Sequence, residues 1–173
     1  MLVLEKKKDI SILQSMGTTR FVIQKILFTL LLAGIAIQVF RPAQNKSSLV
    51  QNGDIVQHFN VPANVAGILR TSCYDCHSNN THYPWYSFIQ PGGWWMASHI
   101  KKGKAVLNFS EFGKYSNRKQ QSKLQAIANS IKDETMPLQS YTFLHQNAVL
   151  STNDKKVILD WLDKTKDSLS LVN

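Results

Sequence analysis

The strongest pattern along the chain is an uncharged apolar run at residues 26–40, with Lys25 before it and Arg41 after it. It is short for a span of about 20 residues, and Phe21, Val22 and Ile23 lengthen it if Lys25 reaches toward the interface. Beyond it, residues 41–60 are mostly polar, with Pro42, Asn45, Ser47, Ser48 and Gly53, and read as a tether. Helical periodicity then sets in. Val61, Val65, Ile68 and Leu69 fall at i, i+4, i+7 and i+8, with Pro62 suited to a first turn. A second helix is predicted over residues 94–102, ending at Gly103 with lysines in its last turn. A third covers residues 117–132, with Leu124, Ile127, Ala128 and Ile131 on one face. The fourth opens at Ser151, with Asp154 as its capping-box partner and Val157, Ile158, Trp161 and Leu162 inward. No segment alternates convincingly as a strand, so the expected class is all-α.

The apolar run reads as an uncleaved transmembrane anchor over residues 21–40, because no small-x-small cleavage site follows it. Lys6, Lys7, Lys8, Arg20 and Lys25 precede it, and only Arg41 and Lys46 follow closely, so the N-terminus is expected in the cytoplasm and the rest outside. This orientation divides the charge. Of the formal net +9, residues 1–43 carry +4 and the remainder +5. Lys101, Lys102, Lys104, Lys114, Arg118, Lys119 and Lys123 then read as a solvated surface, or as a means of steering an acidic redox partner. Nucleic acid is not an expected partner for an external tethered domain. The expected organisation is a cytoplasmic extension at 1–20, the anchor, the tether at 41–60, a folded domain at 61–168 and a tail at 169–173.

Cys73-Tyr74-Asp75-Cys76-His77 is the candidate chemistry, and its two cysteines are the only two in the chain. The C-x-x-C-H spacing lets two thiols reach the two vinyl groups of a porphyrin while the following imidazole takes the iron. Cys73 and Cys76 are therefore the expected covalent attachment points and His77 the proximal iron ligand. A Cys2His2 zinc site using His77 and His82, and a redox dithiol or chance match, are the competing readings. The first lacks the usual second ligand pair and the second lacks a preceding apolar strand. One covalent haem c is the implied cofactor.

The sixth iron position decides what such a centre can do. Met136-Pro137 lies 59 residues after His77, and a thioether there would be a soft ligand that raises the reduction potential. Packing in the core is the alternative use of Met136, and His99, His145 or an open position are the alternative occupants. His58 and His82 lie close to the tether and the attachment loop. Tyr83, Trp85, Tyr86, Phe88, Trp94 and Trp95 crowd the region after the motif and are expected either to wall a haem pocket or to fill the core.

Thr71 to Asn79, Tyr83-Pro84-Trp85-Tyr86, Pro91 with Trp94-Trp95, Asn108-Phe109-Ser110-Glu111-Phe112, and Met136-Pro137-Leu138 with Tyr141 together resemble the bacterial haem-binding-domain family. That family comprises small, membrane-anchored, c-type cytochrome-like proteins, and the likeness covers about residues 25–166. The resemblance implies haem binding through Cys73, Cys76 and His77 in a small cytochrome c-like helical domain, behind a single N-terminal transmembrane helix. It supplies no defined partner or reaction. Residues 3–17 instead resemble the cytoplasmic segment of lipoprotein-releasing ABC-transporter permeases. A fusion remnant or a misplaced start, with translation beginning near Phe21 to Lys25, is one reading of that fragment, and a surface amphipathic segment is the other. The expected function is single-electron transfer by a monohaem cytochrome in the periplasm, anchored in a bacterial inner membrane and serving an unknown redox protein. A haem-based sensor and a peroxidase-like protein with an open or labile iron are the rivals. No acid–base or nucleophile constellation stands out, so an electron carrier is favoured over an enzyme.

Overall fold

The computed structural model describes residues 2–49 and 52–171. Its regular elements are helices α1 (Leu2–Ala36), α2 (Ile55–His58), α3 (Ala63–Ser72), α4 (Tyr74–His77), α5 (Gly92–Val106), α6 (Asn117–Lys132), α7 (Gln139–Leu144) and α8 (Thr152–Ser170), with four short 3-10 turns between them. Among the described residues there is no strand, so the all-α expectation holds.

Two bodies divide the chain. The first comprises residues up to Pro42 together with Trp85–Trp94. Within it, Thr19–Val39 forms 21 residues of mean hydropathy 2.0 with none of that length buried, so it is long and apolar enough to cross a membrane. The one hydroxyl in its middle, Thr29, donates to the carbonyl of Lys25 at 2.9 Å and so needs no outside partner.

The second body, Ala43–Pro84 with Trp95–Asn173, holds the core. Leu124, Ala128 and Ile131 of α6 meet Ile158, Trp161, Leu162 and Leu169 of α8, and Val65 and Leu69 of α3 complete the packing. Burying each of the valine, leucine and isoleucine side chains among them is worth about 1.5–3 kcal/mol. The α8 start is fixed by a reciprocal cap. Ser151 Oγ accepts from the Asp154 amide at 3.1 Å, while Asp154 Oδ2 accepts from the Ser151 amide at 3.0 Å.

The stretch expected as a polar tether is folded from Ala43 onward in two places. Asn45 donates from Nδ2 to the Ser78 carbonyl at 2.8 Å, and its own carbonyl accepts from the Thr81 amide at 3.0 Å. Asp54 then caps α2 by accepting from the Val56 amide, and Ile55 is fully buried against the core. The folded body therefore starts well before Val61, because one apolar residue in a polar stretch is enough to dock it.

A candidate site on one helical turn

Helix α3 ends where Cys73 leaves helical geometry, at φ −130° and ψ −39°. The chain then makes the single turn α4, in which the amides of Cys76 and His77 both donate to the Cys73 carbonyl, at 3.2 and 3.0 Å. Residues at i, i+3 and i+4 share a helical face, so Cys73, Cys76 and His77 are brought together by local geometry alone. Tyr74 holds the turn from its other side. Its ring stacks on Phe109 at 5.2 Å between centroids and its hydroxyl donates to Asp54 Oδ1 at 2.7 Å.

Both cysteines are free thiols and half-buried. Burial, with the neighbouring Cys76, pushes the Cys73 thiol up to about 12, and burial with the Asp75 charge pushes Cys76 up to about 11. His77 Nδ1 lies 3.1 Å from the Leu107 carbonyl. A carbonyl only accepts, so Nδ1 carries the proton and Nε2 keeps its lone pair. Burial lowers the His77 pKa from its ordinary value, partly opposed by the Leu107 and Gly103 carbonyls, and so favours the neutral ring. A neutral imidazole with Nδ1 fixed by a backbone oxygen is the form that ligates a metal through Nε2.

Helix α5 does not stop at Gly103 as its sequence suggests but runs on to Val106. The glycine has a packing reason instead. A Cβ at this position would sit 2.6 Å from the Cys76 carbonyl oxygen, so α5 passes the Cys73–His77 turn at backbone contact. That approach carries Leu107 to His77.

Met136 follows the end of α6. Glu134 adopts left-handed geometry at φ 54° and pairs with Lys155, and the amides of Thr135 and Met136 return to the Ser130 carbonyl at 3.0 and 3.3 Å. The chain thereby doubles back and delivers Met136, which is 39% exposed, into the same clefts as the motif. A cleft of about 210 Å³ and another of about 130 Å³ share Ser72, Cys73, His77, Val106, Met136 and Pro137. The donor set of two thiols, one imidazole and one thioether, together with apolar walls, suits a haem.

The other candidates separate. His99 lines the larger cleft, with Nδ1 2.9 Å from the Trp95 carbonyl. His145 lines neither cleft and stacks on Tyr141 at 4.2 Å. His58 bonds Gln120, and His82 is exposed. Among the described residues no group of three or more His, Cys, Asp or Glu side chains is arranged to hold a metal ion, which gives the Cys2His2 zinc reading no support. None of Tyr83, Trp85, Tyr86, Phe88, Trp94 and Trp95 lines either cleft. Of the two uses open to these aromatics, a pocket wall finds no support from Tyr83 and Trp95, which share the body of the motif and line neither cleft.

Sequence reasoning missed the Leu107 carbonyl, Val106 and the bond from Tyr141 to Asp75. The Asn108 to Phe112 stretch marked the neighbourhood of Leu107 without indicating its role.

A family model described as a haem-binding domain matches residues 32–164. No curated protein and no solved structure matches the chain. The permease-like reading of residues 3–17 gains no support from these comparisons.

Proposed function

The chain belongs to the haem-binding domain family, and on that premise we propose that it is a membrane-anchored monohaem c-type cytochrome that transfers single electrons. The observation that carries this reading is the α4 turn, with Cys73 and Cys76 beside a His77 whose Nδ1 is bonded to the Leu107 carbonyl. When bound, the haem supplies one-electron exchange between ferrous and ferric iron. The Cys73 and Cys76 thiols would each add across a vinyl group, sulfur to one carbon and hydrogen to the other, with nothing released. His77 offers Nε2 as the proximal ligand, and its bond to Leu107 fixes the ring and raises its basicity. Met136, which lines the same clefts, would offer its thioether as a second protein ligand, and thioether ligation would favour the reduced state. Val106 and Leu138 keep the site apolar, and Lys102 lines the larger cleft as a cation for the propionates.

The setting follows from the anchor. Basic residues concentrated ahead of the uncharged run at 26–40 support an N-terminus in the cytoplasm, with the haem domain then in the periplasm of a bacterial inner membrane. The partner is a redox protein. The 39% exposure of Met136 supports one rival, in which the distal ligand is labile and the protein senses gas or redox state or acts as a peroxidase.

Visible spectra of the reduced full chain, matured with haem, separate the two. An electron carrier keeps its spectrum when CO is added, and Met136→Ala makes it CO-sensitive while His99→Ala does not. A wild-type spectrum that shifts with CO overturns the electron-carrier reading in favour of the rival.

A further inference from the structure

The segment Trp85–Trp94 carries no charged residue, and its first four residues form a 3-10 turn that buries Ser87 and leaves Trp85 and Phe88 exposed. Trp85 is 75% exposed, Ile89 51% and Phe88 40%. A cluster of this kind marks an interaction surface. What it faces is indicated by where it is fastened. Gln38 Oε1 accepts from the Gln90 amide at 2.8 Å, and Gln38 Nε2 donates to the Gln90 carbonyl at 3.2 Å, so one side chain pairs with both backbone groups of Gln90. Trp94 Nε1 donates to the Phe40 carbonyl at 2.6 Å. Gly93 closes the turn, since a Cβ there would lie 2.4 Å from the Ser87 carbonyl oxygen.

Gln38 and Phe40 bracket the last residue of the apolar span Thr19–Val39. Twenty-one residues at about 1.5 Å per residue match a hydrocarbon core of about 30 Å. The groups that hold Gln90 and Trp94 therefore sit at one hydrocarbon boundary, which is the depth that tryptophan prefers.

We propose that Trp85–Trp94 is a second membrane contact, an aromatic anchor that inserts Trp85, Phe88 and Ile89 into the boundary between headgroups and acyl chains, beside the end of α1. It rests on the reading of Thr19–Val39 as a membrane span. The bilayer is favoured over a protein partner because the patch is charge-free and continuous with the end of that span. Arg41, exposed just past the span, adds a cation at headgroup level.

Photo-crosslinking of the haem-loaded full chain in phosphatidylcholine vesicles tests this. One lipid carries a diazirine near the glycerol and a second carries it mid-chain, and adducts are mapped by peptide mass spectrometry. The span peptide should take both labels, and the 85–94 peptide the shallow one. The triple variant Trp85→Ser/Phe88→Ser/Ile89→Ser should lose the 85–94 adducts and keep those on the span, with its haem absorption unchanged. Span adducts without 85–94 adducts in the wild type would overturn the second contact and leave the anchor standing. Adducts in neither peptide would overturn both.

Discussion

Tyr141 donates its phenolic hydrogen to Asp75 Oδ2 at 2.8 Å, tying the chain just after Met136 to a residue that lies between the two cysteines. Asp75 Oδ1 accepts from the His82 amide at 2.9 Å, so the carboxylate is held from both sides. The Cys73–His77 turn and the loop carrying the Met136 thioether are thus fastened by side chains as well as by packing.

Tyr141→Phe keeps the ring and removes the bond. Because Asp75 retains the His82 amide, the loss of stability should fall near the lower end of the range for bonds to charged groups, about 1.5 kcal/mol by denaturant unfolding. The same variant should bind CO more readily in its reduced form, because the Met136 loop is less constrained. A stability loss with unchanged CO behaviour would assign the bond a purely structural role.

Gly103 and Gly67 make a paired test. Nothing lies within 4 Å of a Cβ at Gly67, so Gly67→Ala should stabilise the domain by about 0.5–1 kcal/mol through helix propensity. Gly103→Ala should do the opposite, by about 1–3 kcal/mol, since the added carbon meets the Cys76 backbone at 2.6 Å. It should also lower haem yield, because the turn that moves is the one bearing the thiols. Thermal melts and absorbance per chain check both.

The thiols give the haem-free chain a pH dependence. Burial, together with the neighbouring groups, raises Cys73 to about 12 and Cys76 to about 11 from an ordinary 9.0. Above 9.0 the unfolded chain loses these protons and the folded chain keeps them, so the unfolded state binds fewer protons and stability falls as pH rises. The contribution is intact below 9.0 and declines from there toward 11–12. Comparing haem-free wild type with Cys73→Ala/Cys76→Ala at pH 7 and pH 10 isolates it from lysine titration. Wild type should lose more stability than the variant, and equal losses would contradict burial of the thiols.

The parts of this molecule that sequence makes legible are those set by local spacing. Asn117–Lys132 shows its buried stripe directly, and Ser151 with Asp154 announces the start of α8. Cys73, Cys76 and His77 are close because they share one turn. What sequence hides depends on remote neighbours. Gly103 has the signature of a helix stop, yet it is there to let α5 pass the Cys76 carbonyl. Ile55 has no periodic companions and looked like part of a tether, although it is fully buried. The Leu107 carbonyl that orients His77 is a backbone atom, which leaves no mark in residue type. The crowded aromatics left a pocket wall and core filling both open, and closeness along the chain does not determine which body a turn joins.

Intact mass of the full chain, produced with c-type maturation machinery and then unfolded and extracted with acidic organic solvent, tests the central claim most directly. Covalent attachment through Cys73 and Cys76 predicts that the chain retains the added mass of one haem and shows no free thiol, and that Cys73→Ala/Cys76→Ala retains none. A chain that returns to its bare mass with two reactive thiols would contradict the account.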